Sequence, residues 1–174
     1  MPSIIEKPSQ FLAAIASALG NSALGINVAR HEDFTEVGER PWGLIAIERD
    51  APGCRASDGR IAHVLTISLQ VIAQAMQAGS GLAACDLACA LKDLATDNRW
   101  GLTEDQCDLP QNLDAIPSIL ISETRQYPAW TLSFSQTLYL GPLLLDDPLG
   151  IAKFVRTWEV SNIDDPDQYK ELEG

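Results

Sequence analysis

AWTLSFSQTLYLG, residues 129–141, reads as a strand with two unlike faces. Successive side chains of a strand alternate, so Trp130, Leu132, Phe134, Leu138 and Leu140 project to one side and Thr131, Ser133, Ser135, Thr137 and Tyr139 to the other. A row of small hydroxyls is satisfied by water and can equally be covered by a second strand, a subunit or an extended partner. RIAHVLTISLQVIA, residues 60–73, repeats the pattern. There His63, Leu65, Ile67, Leu69 and Val71 alternate with Val64, Thr66, Ser68, Gln70 and Ile72. Two strands that set aliphatic groups against Ser, Thr and Gln predict a sheet covered by helices on one face and open on the other.

Two segments have the periodicity of the covering helices. In QFLAAIASAL, Phe11, Leu12, Ile15, Ala16 and Leu19 share one face, with Ser9 as the expected N-cap and Gly20 as the stop. In GLAACDLACALKDLA, Ala84, Leu87, Ala88, Leu91, Leu94 and Ala95 form a stripe behind an expected Ser80 cap, while Asp86, Lys92, Asp93 and Asp97 fall largely elsewhere. INVARHEDF and PWGLIAIERD read as short strands, and APGCRASDGR as a long hairpin loop. A long connection, TDNRWGLTEDQCDLPQNLDAIP, precedes a strand in SILISET, and RQYP reads as the turn into the last strand. The order helix, three strands, helix, two strands predicts an α+β fold. It is a mostly antiparallel sheet of about five strands, with two helices packed on one face and a C-terminal extension. The expected division is one domain over residues 1–141 and an extension over 142–174 that ends in the acidic tail SNIDDPDQYKELEG.

Composition narrows the function. The chain has 174 residues, 46% of them hydrophobic, enough for one good core. A formal net charge of -12 argues against wrapping nucleic acid, which needs clustered Lys and Arg to neutralise phosphates. The start has no basic segment followed by a long apolar core, and no run approaches a membrane span, so an unexported, soluble chain is expected. Cys54, Cys85, Cys89 and Cys107 form no CxxC pair, and His31 and His63 are far from them in sequence. They are expected to be buried thiols and not metal ligands. Neither histidine sits in a GxSxG elbow. The doublets Glu32/Asp33 and Asp146/Asp147 read as solvated turns, and GSG at residues 79–81 as a linker and helix cap. No catalytic residue, cofactor or metal site is assigned.

What remains are candidates for contact. Trp42 and Trp130 fall in strand patterns and read as packing, whereas Trp100 and Trp158 lie in irregular segments beside arginines and are candidate anchors. Arg49, Arg55 and Arg60 place three of the twelve basic residues in and around one hairpin loop, a candidate docking patch for an acidic neighbour. The hydroxyl face, Thr66, Ser68 and Gln70 with Thr131, Ser133, Ser135 and Thr137, is a candidate subunit interface or lumen wall, with plain solvation as its rival.

The order of FLAAIASAL, RPWGLIAIERD, HVLTISLQVIA, GLAACDLACALKDLA and WTLSFSQTLYL resembles the tail terminator proteins of long-tailed phages, the family of the lambda minor tail protein U. The resemblance spans about residues 8–141 and rests on order and lengths. It implies a homo-oligomeric ring, typically hexameric, that caps the tail tube, stops its polymerisation and forms the surface for head-neck attachment, without catalysis. The implied partners are further copies of the chain, the major tail tube protein and head-neck connector proteins. DNA would only pass through the lumen, and no membrane would be involved. The implied location is the tail-neck junction of the virion, after assembly in the host cytoplasm. The extension from Pro142, with Lys153 and Arg156, departs from shorter members and is expected to act as an arm swapped onto a neighbour. Another neck or tail-completion protein, or a small enzyme or ligand-binding domain, are the alternatives.

Overall fold

The two hydroxyl-bearing strands are neighbours at the centre of one five-stranded sheet. The computed structural model describes residues 4–34, 38–73, 79–122 and 125–142. In chain order these form helix α1 (Pro8–Gly20), strand β1 (Asn27–Ala29), a 3-10 turn (His31–Asp33), β2 (Trp42–Pro52), β3 (Ala62–Ile72), α2 (Ser80–Ala95), β4 (Gln111–Ile121) and β5 (Gln126–Tyr139). The spatial strand order is β1-β2-β3-β5-β4. All pairings are antiparallel except β1 with β2, which is parallel, so the fold is α+β around a mixed, mostly antiparallel sheet. The chain divides into two units, Met1–Leu144 and Leu145–Gly174, and the second lies outside the described residues.

The expected alternation sets the packing. Leu65, Ile67, Leu69 and Val71 of β3 stand beside Gln136, Phe134, Leu132 and Trp130 of β5. The apolar members of this face join Phe11, Ile15 and Leu19 of α1 and Ala88, Leu91 and Ala95 of α2 in one core. Both helices therefore cover the same face. Each fully buried Leu, Ile or Phe contributes about 1.5–3 kcal/mol relative to exposure, and Phe11, Ile15, Leu19, Leu65, Leu69 and Leu132 are all fully buried. The small residues Ala84, Ala88 and Ala95 line the buried side of α2 and let it approach the sheet closely.

The helix starts differ from expectation. α1 begins one residue before Ser9: Lys7 is the N-cap and Pro8 the first helical residue, where its missing N–H costs nothing. Gln10, the third helical residue, reaches back, and its Oε1 accepts from the backbone N–H of Glu6 at 2.7 Å and of Lys7 at 3.1 Å. Ser80 is the first residue of α2, and the cap is Gly79 at φ 96, a conformation that glycine adopts without strain.

The strand bounds differ more. β4 begins at Gln111, inside the expected connection, and β5 begins at Gln126, inside the expected RQYP turn. The chain actually turns at Ser122 and Arg125, whose backbones exchange hydrogen bonds of 2.8 and 3.4 Å. β4 is an edge strand exposed on both sides over much of its length, so it carries no hydropathy alternation to read.

Candidate interaction surface

The sheet face away from the helices is organised in rows. Thr66 and Ser135 lie side by side, flanked by Arg49 on β2 and Gln111 on β4. The next row is Ala46, Ser68, Ser133 and Asp114, and the next Leu44, Gln70, Thr131 and Ile116. Val64 pairs with Thr137 beyond the first row. The structure thus brings all seven expected residues (Thr66, Ser68, Gln70, Thr131, Ser133, Ser135 and Thr137) onto one patch of the two central strands. All are partly exposed except Ser68, which is buried.

These side chains are not loose. Ser68 Oγ donates to Glu48 Oε1 at 2.5 Å. Glu48 reaches across because the pairing of β2 with β3 is irregular between Ile47 and Arg49, a one-residue bulge that re-aims the side chain. Gln70 Nε2 donates to Ser118 Oγ at 3.2 Å, and Thr131 Oγ1 donates to the same oxygen at 2.9 Å. Cross-strand hydrogen bonds therefore tie Ser68, Gln70 and Thr131 of the patch to Glu48 and Ser118. Glu48 and Ser118 escape sequence reasoning: a bulge leaves no sequence mark, and Ser118 belongs to a strand without periodicity.

The same face changes character at its other end. Leu44, Ile72, Leu120, Tyr127 and Ala129 form a second buried cluster there, with Trp42 and Phe34 packed against it. Phe34 stands edge-on to Trp42 at 5.6 Å and to Tyr127 at 6.4 Å. The face is thus open only in part, a correction to the expectation of one uniformly uncovered surface.

Two expected contact residues belong to the subunit's own interior. Trp100 is 4% exposed, stacks on Phe134 at 6.0 Å and donates from Nε1 to Gln136 Oε1 at 2.9 Å. Gln136 is a polar residue on the helix-covered side of β5, and it is buried because Trp100 and the carbonyls of Asn98 and Asp108 satisfy its amide. That lone Gln among Leu and Phe was the readable sign of a buried partner. Trp158 lies outside the described residues.

The arginine patch also separates. Arg60 is 5% exposed, forms an ion pair with Asp58 at 2.6 Å, and donates to the carbonyls of Tyr139, Gly141 and Asp105. It fastens the hairpin loop to the end of β5 and to the β4 approach, and has no free edge for a partner. Arg55 is exposed and donates to Gly59 O at 2.9 Å, within the same loop. Arg49 alone sits on the hydroxyl face, at its border and exposed.

Beside Arg60 lies an open cleft of about 220 Å³ whose lining includes Asp58, Glu104, Asp105, Asp108 and Tyr139. Burial, and then the hydrogen bond and charge of Asp108, push the Tyr139 phenol above its ordinary pKa, so it stays a neutral donor to Asp108 Oδ2 at 3.1 Å. Only Cys107 is a buried thiol. Burial, helped by Asp108, pushes its pKa up to about 12. Cys54, in the β2–β3 loop, and Cys89 are exposed and Cys85 partly so, a correction that for Cys85 and Cys89 follows from the side of α2 they occupy, away from the Ala84/Ala88/Leu91 stripe. Among the described residues no group of three His, Cys, Asp or Glu side chains is arranged to hold a metal ion. His63 Nδ1 lies 3.0 Å from Asp50 Oδ2 at the far end of the β2–β3 hairpin, and His31 opens the 3-10 turn. Among the described residues no helix is long and apolar enough to cross a membrane.

The chain matches no protein-family model and no curated protein. What fold and surface define together is an α+β domain with one sheet face buried under helices and a patch of hydroxyl side chains on the other.

Proposed function

We propose that this chain is the subunit of a ring that caps a phage tail tube, stops its polymerisation and forms the surface to which the head-neck complex attaches. The observation that carries the reading is the seven-residue patch on β3 and β5. It is tied in part by cross-strand hydrogen bonds and free of a large apolar area at its centre, so it tolerates water in a free subunit and a protein neighbour in an assembly. The order and lengths of α1, β2, β3, α2 and β5 supply the second support, since they are the features on which the family resemblance rests. In this reading the patch faces the tail tube or the lumen, Arg49 marks its border, and the residues beyond Pro142 reach a neighbour.

The test is genetic. Disrupting the gene in its phage is expected to give tails of uncontrolled length that carry no heads, seen by electron microscopy. Tails of normal length that fail to join heads would assign the chain to another neck or tail-completion role. Normal tails with heads attached would overturn both.

A further inference from the structure

Both edges of the sheet are open among the described residues. β4 pairs only with β5, and its outer edge is bare along the strand. At the opposite edge, β1 covers β2 only at residues 42–44, which leaves 45–52 unpaired. Unpaired strand edges are templates for further strands, and proteins that must remain single guard them. β4 is poorly guarded. Of the six large apolar side chains exposed among the described residues, three are on this strand: Ile116 at 53%, Ile119 at 61% and Ile121 at 72%.

We propose that copies of this chain join edge to edge, β4 of one copy against residues 45–52 of β2 in the next, so that the sheet runs continuously through the assembly. Strand direction permits it. β2 and β3, β3 and β5, and β5 and β4 are each antiparallel, so β4 runs opposite to β2. A neighbour repeated in the same orientation presents its β2 antiparallel to β4, the pairing in which every other residue pair exchanges two straight hydrogen bonds.

Side-chain alternation then selects a register. Ile119 and Ile121 share the helix-covered face with Ile45 and Ile47, and Ile116 and Leu120 share the opposite face with Ala46 and Ala51. Setting Ile121 opposite Ile45 of the neighbouring copy puts Leu120 opposite its Ala46 and Ile119 opposite its Ile47. The bulge at Glu48 then carries the pairing to Ser118 opposite Arg49 and, two residues on, Ile116 opposite Ala51. All three exposed isoleucines meet an apolar partner, and the eight free residues of β2 match 115–121 of β4 once the bulge is counted. A register shifted by one would set each isoleucine across from the wrong face. The exposed charges Glu48, Arg49 and Asp50 guard the far part of the β2 edge, so the apolar pairs at Ile45 and Ile47 carry the contact. Pro117 of β4 and Pro52 of β2 contribute no N–H, which costs the contact at most two bonds. Because each copy uses two different surfaces, the contact is head-to-tail, and it closes as a ring when the rotation between successive copies divides the full circle.

The inference deepens the ring reading by naming the contact between copies. The test uses the full chain and sedimentation over a range of concentrations. The wild type is expected to self-associate. Ile119→Lys on the β4 side and Ile47→Lys on the β2 side are each expected to weaken association by roughly tenfold or more, since each places a charge opposite an isoleucine. Ala51→Lys serves as a second β2-side variant, because Ile47 also packs partly on its own core. Mixing a β4-side variant with a β2-side variant leaves one intact edge on each, so the mixture is expected to form a heterodimer that grows no further. A monomeric wild type, or variants that associate as the wild type does, overturns edge pairing. So does a mixture that gives no heterodimer, which would instead mark a symmetric contact. None of these outcomes bears on tail length, so the phage experiment decides the ring reading separately.

Discussion

The sheet face away from the helices has two ends built from the same strands, and they have opposite fates. At one end Trp42, Leu44, Ile72, Ala129 and Tyr127 follow the alternation with apolar side chains, and Phe34 packs over them to complete a second small core. At the other, Thr66, Ser133, Ser135 and Thr137 occupy equivalent positions and remain partly exposed, with Ser68 buried among them. Identical backbone geometry therefore supports a buried surface or an open one, and side-chain chemistry within a single strand decides between them. An apolar stretch must be covered by the chain itself, whereas a hydroxyl stretch is stable in water and still available to a neighbour.

The sharpest test of that division is the arginine that closes the hairpin loop beyond the open end. Replacing Arg60 by Met removes one partner of a buried ion pair and strands three carbonyls, with an expected loss of about 3–5 kcal/mol, read as a lowered denaturant midpoint. Arg49→Met, exposed on the patch itself, is expected to leave the midpoint unchanged; an equal loss at both positions would erase the difference between clamp and surface. Next, Leu44→Ala at the apolar end should cost about 2–5 kcal/mol through lost burial and a cavity.

The two buried-ring tryptophans divide similarly. Trp100→Phe leaves the Gln136 carbonyl oxygen without its donor and is expected to cost about 1–3 kcal/mol. Trp42 Nε1, in contrast, is buried with no hydrogen-bond partner among the described residues, so Trp42→Phe gives up no bond seen there and should cost less. Thermal unfolding of the pair decides it, and a larger loss at Trp42 would mean that its indole nitrogen is engaged after all. At the open end, Ser135→Ala should change stability by less than about 0.5 kcal/mol. If the patch faces the proposed tail tube, Ser133→Lys with Ser135→Lys is expected to leave folding and copy-to-copy association intact while blocking attachment to the tube. Unchanged attachment would mean that the face lines the lumen or is only wet.

The smallest effect is a pH dependence. The Cys107 thiol titrates at about 12 when folded, while the unfolded thiol titrates near the ordinary value. Above about pH 9 the unfolded chain therefore binds fewer protons than the folded one, and stability falls as the pH rises toward 12. A Cys107→Ala variant should show a flatter decline between pH 8 and pH 10 in the same unfolding measurement. Alkylation supplies an independent check: Cys54 and Cys89 should react in the native state and Cys107 only on unfolding.

Much of the fold was legible in the sequence. The alternation in residues 60–73 and 129–141 named both central strands and their buried faces, and the 3.6-residue stripes named both helices. Those signals were strong because each of these elements has one wet side and one dry side. β4 was half missed for the opposite reason, since it is exposed along most of its length and Leu120 is its one buried side chain. The candidate site was legible as a list of residues and not as a surface. Alternation put Thr66, Ser68 and Gln70 on one side of one strand and Thr131, Ser133 and Ser135 on one side of another, yet their being neighbours depends on β3 pairing with β5 across the intervening α2 and β4.

Pairing between distant segments, burial of isolated polar groups and the covering of an exposed face are collective outcomes, and only the tertiary structure decided them. It turned Arg60 and Trp100 from candidate contacts into internal fastenings, put Arg49 at the rim of the patch, and left the isoleucines of β4 at an unpaired edge. The sequence by itself determined which side of each amphipathic element is dry, because that follows from local periodicity and the cost of exposing apolar surface. It could not determine which elements share an edge, because that depends on the packing of the whole chain at once.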